Sequence, residues 1–150
     1  VGTDAAGLEL RMLAHYMNDK EYTNEVINGD IHTANQKSAG LATRDSAKTF
    51  IYAFLYGAGD AKIGSIVGGS GAIIMKKSLT LLDKYATIHN IDYKMVGNIH
   101  DEIQAEVRQD QADKFGWLAV ECIKAAGLKF NMRCPLDGEY KVGTTWAETH

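Results

Sequence analysis

Two β-prone runs a single turn apart constrain this chain most. Tyr93 to Asn98 and Ile103 to Val107 read as strands, with the turn-like His100-Asp101-Glu102 between them. So short a connection joins antiparallel neighbours, because parallel strands need a long crossover. Val1 to Ala5 reads as the end of another strand and Asp137 to Val142 as a last one. Helical patterns fill most of the remainder. Leu8, Met12 and Leu13, with Tyr16 beyond, recur at helical spacing. Gly29-Asp30 breaks the next helical stretch, and Asp30 is placed to cap a helix from Ile31. Thr43 is a second cap, opening a helix that runs to about Tyr56 and stops at Gly57-Ala58-Gly59. Ala72 to Ile88 and Gln111 to Ala126 are two more helices, the second stopped by Gly127. A single Pro in 150 residues leaves them uninterrupted. The expected fold class is α+β: a small antiparallel sheet flanked by helices. The length suits one domain. Gly68-Gly69-Ser70-Gly71 is the only linker-like stretch.

Composition narrows the function classes. The formal net charge is -3, from 16 basic and 19 acidic residues, which leans mildly away from nucleic acid unless a carboxylate cluster offsets a basic groove. Cys122 and Cys134 give neither metal-ligand spacing nor a disulfide framework, and read as reduced thiols. No apolar run approaches a membrane span and no signal peptide is visible, so the expectation is a cytoplasmic protein with no membrane partner. The chain starts at Val1 rather than Met, as a processed or excerpted chain would.

Three carboxylates carry possible chemistry. Asp101 and Glu102 lie at the hairpin turn, and Asp4 lies at another strand end. Carboxylates brought close repel unless a cation separates them. Mg²⁺ suits such a site, since it takes one or two carboxylates and keeps waters and phosphate oxygens. Two such ions about 4 Å apart activate a hydroxyl and stabilise a leaving phosphate. Taken alone, the same residues read as ordinary turn residues.

The helix opened by Thr43 is the second element of interest. Arg44, Lys48, Tyr52 and Tyr56 fall four apart, on one face. Arg44 to Tyr52 spans about 12 Å along the axis, close to the reach of a nucleoside triphosphate. The two cations and the helix N-terminus attract phosphate, and the Tyr52 ring is placed to stack on a base or sugar. The plainer alternative is a solvated basic face, with Phe50, Ile51, Phe54 and Leu55 buried behind it.

Together these segments resemble the three polymerase motifs of family A DNA polymerases, and most closely those of the replicative polymerases of short-tailed bacteriophages. The first motif is Asp4-Ala5-Ala6-Gly7-Leu8-Glu9-Leu10-Arg11, the second is the Arg44 to Gly59 helix, and the third is His100-Asp101-Glu102. Gly29-Asp30-Ile31-His32-Thr33 lies between the first two, as in the family, and Gly143 to His150 resembles the family's natural end. The similarity covers nearly the whole chain.

The resemblance implies a polymerase palm with a partial fingers element, and template-directed addition of deoxynucleotides to a primer by two-metal phosphoryl transfer. It implies that Asp4 and Asp101, with the Ala5 carbonyl, hold two Mg²⁺ ions, and that Glu102 assists the metals or the primer end. Arg44, Lys48 and His32 would contact the triphosphate, with Lys48 donating a proton to the leaving pyrophosphate. Glu9 and Tyr52 would close the sugar pocket, Glu9 excluding a ribose 2′-hydroxyl. Tyr56 and Gly57 would border the templating base, and His100 would support the primer terminus. Tyr at position 52 resembles members that accept dideoxynucleotides. The implied partners are primer-template DNA and dNTPs, in the bacterial host cytoplasm if the chain is phage-encoded.

The chain departs from the pattern in three ways. Ala6 stands where many members have Ser. No exonuclease or thumb segment precedes Val1, so no processivity factor is implied, because phage relatives recruit theirs through the thumb. Residues 43–67 read as the fingers element, and 68–71 as a linker-like joint replacing a missing fingers segment. Two other function classes stay open: a metal-dependent nuclease using the same carboxylates, and an inert polymerase-derived fragment that at most binds nucleotide.

Overall fold

The structure is a computed structural model that describes residues 1–58 and 61–150. In chain order the elements are β1 (Gly2–Ala5), α1 (Leu8–Met17), α2 (Lys20–Asn28), α3 (Ile31–Ala39), α4 (Arg44–Ala53), α5 (Ala61–Ile88), β2 (Tyr93–Ile99), β3 (Glu102–Val107), α6 (Ala112–Lys129), β4 (Gly138–Lys141) and α7 (Trp146–Thr149). The chain forms two compact units, residues 1–8 with 71–150, and residues 9–70. The expected α+β class holds.

The first unit is built on a four-stranded antiparallel sheet in the order β2-β3-β1-β4. The hairpin expected at residues 93–107 is present. It turns through His100 and Asp101, with His100 in the left-handed region at φ 56. Its register shifts between Met95 and Gly97. Strand alternation gives the sheet two unlike faces. Thr3 pairs with Ile103 and Tyr140, and these three point to one side. There α6 packs against β1 and β4. Phe115 and Ile123 of α6 are fully buried, and the Phe115 ring lies 5.0 Å from that of Tyr93. Close approach needs glycine: a Cβ on Gly116 would collide with the Tyr140 ring, and one on Gly138 would meet Asp4 O at 2.7 Å and Ile123 Cδ1 at 3.2 Å.

Gly127, expected to stop α6, lies inside it, since the helix continues to Lys129. The glycine serves packing, because a Cβ there would sit 2.9 Å from Leu136 Cγ. The expected last strand shortens to Gly138–Lys141.

The second unit is helical. Asp19 caps α2 by accepting from Tyr22 N, and Asp30 caps α3 by accepting from His32 N and Thr33 N. Thr43 caps α4 as expected, accepting from Ser46 N. The α-helical part of α4 ends at Ala53 rather than near Tyr56. A wide turn follows over Phe54–Ala58, with Gly57 leaving the helical path at φ 157, ψ -13. Gly59 of the expected stop lies outside the described residues. The back of α4 and of the turn after it is only partly covered: Ala47 and, in the turn, Leu55 are buried, but Phe50 is 52% exposed.

The linker-like conformation expected of Gly68-Gly69-Ser70-Gly71 is not found: the four residues are part of α5, which runs unbroken from Ala61 to Ile88. Helix-forming sequence on both sides propagates through the glycines, each costing about 1 kcal/mol relative to Ala. Gly71 also permits close packing, since a Cβ there would meet Leu8 Cδ2 at 3.3 Å.

Candidate active site

The sheet's second face carries the acids. Asp4 pairs in register with Glu102 on β3 and Glu139 on β4, so the three carboxylates form one row across the strands. Gly2, paired with Gln104 and Lys141, forms the next row. A cleft of about 120 Å³ opens over this face, lined by Asp4, Glu102, Glu139, Lys141 and His150 among others.

The hairpin turn closes against β1. Ala5 N donates to Asp101 O at 3.0 Å, which sets Asp101 beside the Asp4–Ala5 peptide. Asp4 is exposed and Asp101 half-buried. Sequence positions nearly a hundred residues apart thus meet at one end of the sheet. Asp4, Ala5 and Asp101 offer carboxylate and main-chain oxygens, hard ligands of the kind Mg²⁺ prefers. Among the described residues no group of three His, Cys, Asp or Glu side chains forms a ready metal cage. A Mg²⁺ ion that takes much of its coordination from water and phosphate does not require one, so these residues fit the ion.

Glu102 has another engagement. It is 7% exposed. Its Oε1 accepts from Gln104 Nε2 and from Trp146 Nε1, the latter at 3.2 Å, and its Oε2 meets His150 Nδ1 at 2.7 Å. Thr149 Oγ1 donates to Gln104 Oε1 at 3.0 Å. Burial pushes the Glu102 carboxyl up, but hydrogen bonds from Gln104, His150 and Trp146 outweigh it and hold it below the usual carboxylate range. Glu102 therefore anchors the C-terminal segment, a partnership the sequence reading missed. One signal was available: Thr145-Trp146-Ala147-Glu148 has capping-box spacing, and Glu148 Oε2 accepts from Thr145 N at 3.3 Å.

In the helical unit, α3 packs beside α4. The His32 and Tyr52 rings lie 6.1 Å apart, tilted by 48°. Arg44 and Lys48 are exposed on α4. Burial, reinforced by the charges of Arg44 and Lys48 and opposed by Asp30, lowers the His32 pKa, which keeps its imidazole neutral at pH 7. His32 Nδ1 is buried and has no hydrogen-bond partner among the described residues. Arg44 Nε donates to Asp30 Oδ2 at 2.7 Å. The Tyr56 hydroxyl donates to Glu9 Oε1 at 2.6 Å, joining a residue expected at the sugar to one expected at the templating base.

Among the described residues no helix is long and apolar enough to cross a membrane. The family model "DNA polymerase family A" matches residues 61–148. The chain is 31% identical to the DNA-directed DNA polymerase of Escherichia phage Phieco32, over all of this chain and 40% of that protein. It is 33% identical to the DNA-directed DNA polymerases of Enterobacteria phage T3 and Escherichia phage T7, over 99% of this chain and 33% of each. The alignment to the Phieco32 protein runs over 244 residues against 150 here, so the relative carries residues within the matched region that this chain lacks. The chain thus spans about two-fifths or less of these relatives' lengths. Its fold is similar to that of the POL domain of Pol1 from M. smegmatis, solved in complex with DNA primer-template and dNTP, with a TM-score of 0.84 at 14% identity over 99% of this chain and 40% of that one. With a family match over more than half its length, this chain belongs to DNA polymerase family A.

Proposed function

We propose that the chain is the catalytic core of a DNA-directed DNA polymerase, a palm with a partial fingers element at residues 43–67, which transfers a dNMP to a primer 3′-hydroxyl opposite a template base. The observation that supports this reading most is the Ala5 N–Asp101 O hydrogen bond, which brings the backbone of the third motif to that of the first at one end of the sheet.

In the sheet unit, Asp4 and Asp101, with the Ala5 carbonyl, would hold two Mg²⁺ ions. Bound there, such ions supply an activated hydroxyl and neutralise charge on the leaving phosphates. His100, at the turn, supports the primer terminus. Glu102 acts through the C-terminal segment that it anchors.

In the helical unit, Arg44, Lys48 and neutral His32 receive the triphosphate. Lys48 gives a proton to the departing pyrophosphate, which lowers the barrier by matching charge as it develops. Tyr52 and Glu9 bound the sugar, and Glu9 crowds a 2′-hydroxyl. Tyr56 and Gly57 border the templating base. The reaction is in-line displacement at the α-phosphate, in which the bond to the 3′-oxygen forms as the bond to pyrophosphate breaks.

Primer extension at low salt, with Mg²⁺ and all four dNTPs, tests the reading beside D4N and D101N controls. Extension abolished in both controls supports it. Extension that survives D101N overturns the assignment of the aspartates. A folded chain that extends nothing is an inert polymerase-derived piece, a reading favoured by the residues its relatives carry and it lacks.

A further inference from the structure

We propose that Asp30 is a positioning residue for the nucleotide triphosphate: one carboxylate that fixes both the guanidinium of Arg44 and the start of the helix bearing His32. This inference rests on the reading of Arg44 as a triphosphate ligand.

The carboxylate divides its two oxygens between these tasks. Oδ1 accepts from His32 N at 3.2 Å and Thr33 N at 3.3 Å, which caps α3. Oδ2 accepts from Thr33 Oγ1 at 2.7 Å and from Arg44 Nε at 2.7 Å. Asp30 and Arg44 are 14 residues apart, so the pair ties the cap of α3 to the first residue of α4. Hydrogen bonding to Arg44 holds the Asp30 carboxyl well below its usual range.

Fold stability gives little reason for this pair. The two side chains are 45% and 49% exposed, and ion pairs so open to solvent contribute little. A cation in the first turn of a helix also opposes the helix dipole. An arginine placed there suits an anion arriving from solvent, and a fixed carboxylate on Nε prevents it from sampling other directions. Nε supplies one of the five N–H donors, and the remaining four sit on the terminal nitrogens, the fork that grips phosphate oxygens in pairs.

Charge alone makes the opposite forecast. Asp30 is an anion beside a phosphate site, so if it only repelled nucleotide or competed for Arg44, its removal would tighten binding. The direction of the change therefore decides. The variant is Asp30→Ser, which keeps a capping oxygen but is too short to hold Arg44. Binding of dATP with Mg²⁺ to the full 150-residue chain is measured by calorimetry, with deoxyadenosine as the phosphate-free control and thermal melting alongside.

The expected result is a melting temperature close to that of the unaltered chain, dATP affinity weakened about two- to fivefold, and deoxyadenosine binding unmoved. In an Arg44→Ala background the same substitution should weaken dATP binding no further, and Asp30→Asn, which keeps an acceptor for Nε, should restore part of the affinity. Unchanged or tighter dATP binding by D30S overturns the inference, as does an equal loss in the R44A background. If D30S fails to fold, the D30N affinity and its dependence on Arg44 decide in its place. Should R44A and K48A bind dATP as tightly as the unaltered chain, or the unaltered chain bind none, the triphosphate reading falls and this inference with it. Weakening by R44A without any by D30S removes the inference alone.

Discussion

Oε2 of Glu102 and Nδ1 of His150 meet at 2.7 Å across 48 residues of chain. With the bonds from Trp146 and Gln104, this contact ties the C-terminal segment to the acidic face of the sheet. Glu102→Ala leaves the buried Gln104 amide and the more exposed Trp146 and His150 donors without their acceptor, and should cost roughly 1–3 kcal/mol in chemical denaturation. The effect depends on pH. The folded Glu102 carboxyl titrates below its ordinary value of 4.5, so its contribution is complete above that pH and is lost as pH falls through the lower folded value. Glu102→Gln should therefore flatten the acid limb of the stability curve below pH 4.5. An acid limb identical to that of the unaltered chain would contradict it.

Gly68 and Gly69 lie within α5, where an added Cβ meets nothing within 4 Å. Alanine at each position should stabilise the protein by about 0.5–1 kcal/mol, read as a rise in melting temperature. A flexible joint would gain nothing of the kind, so an unchanged or lowered melting temperature counts against the continuous helix.

A side chain at position 116 would collide with the Tyr140 ring. Gly116→Ala should push the ring from the sheet and cost roughly 1–3 kcal/mol. Pairing it with Tyr140→Ala should recover part of that loss, because the second substitution makes room for the first. Purely additive losses would place the strain elsewhere.

Much of this molecule was legible in the sequence because its signals are local. The hairpin of residues 93–107, the Asp30 and Thr43 caps and the spacing from Arg44 to Tyr56 each depend on residues close together in the chain. Two local signals misled. Gly68–Gly71 looked like a flexible linker and Gly127 like a helix stop, yet both lie within helices. Glycine marks either a break or a close approach, and at Gly71 and Gly127 the neighbours Leu8 and Leu136 supply the approach. The pairs Asp30–Arg44, Glu9–Tyr56 and Glu102–His150 were invisible because they depend on tertiary placement, which no periodicity encodes.

Tyr52 on α4 lies 6.1 Å from the His32 ring, where the proposed function sets the sugar. Tyrosine there should allow a dideoxynucleotide to be added and to terminate the chain. Tyr52→Phe should reject the analogue more strongly while using the normal nucleotide at a similar rate. Equal discrimination by the two proteins in a termination assay would remove Tyr52 from the sugar pocket.

The measurement that bears most directly on the polymerase reading is single-nucleotide incorporation on four primer-templates that differ only in the first unpaired template base. The folded chain should add the complementary dNMP in each case, with Mg²⁺ required and with no product from D101N. Incorporation that ignores the template base, or that persists in D101N, would contradict template-directed synthesis at the Asp4–Asp101 site.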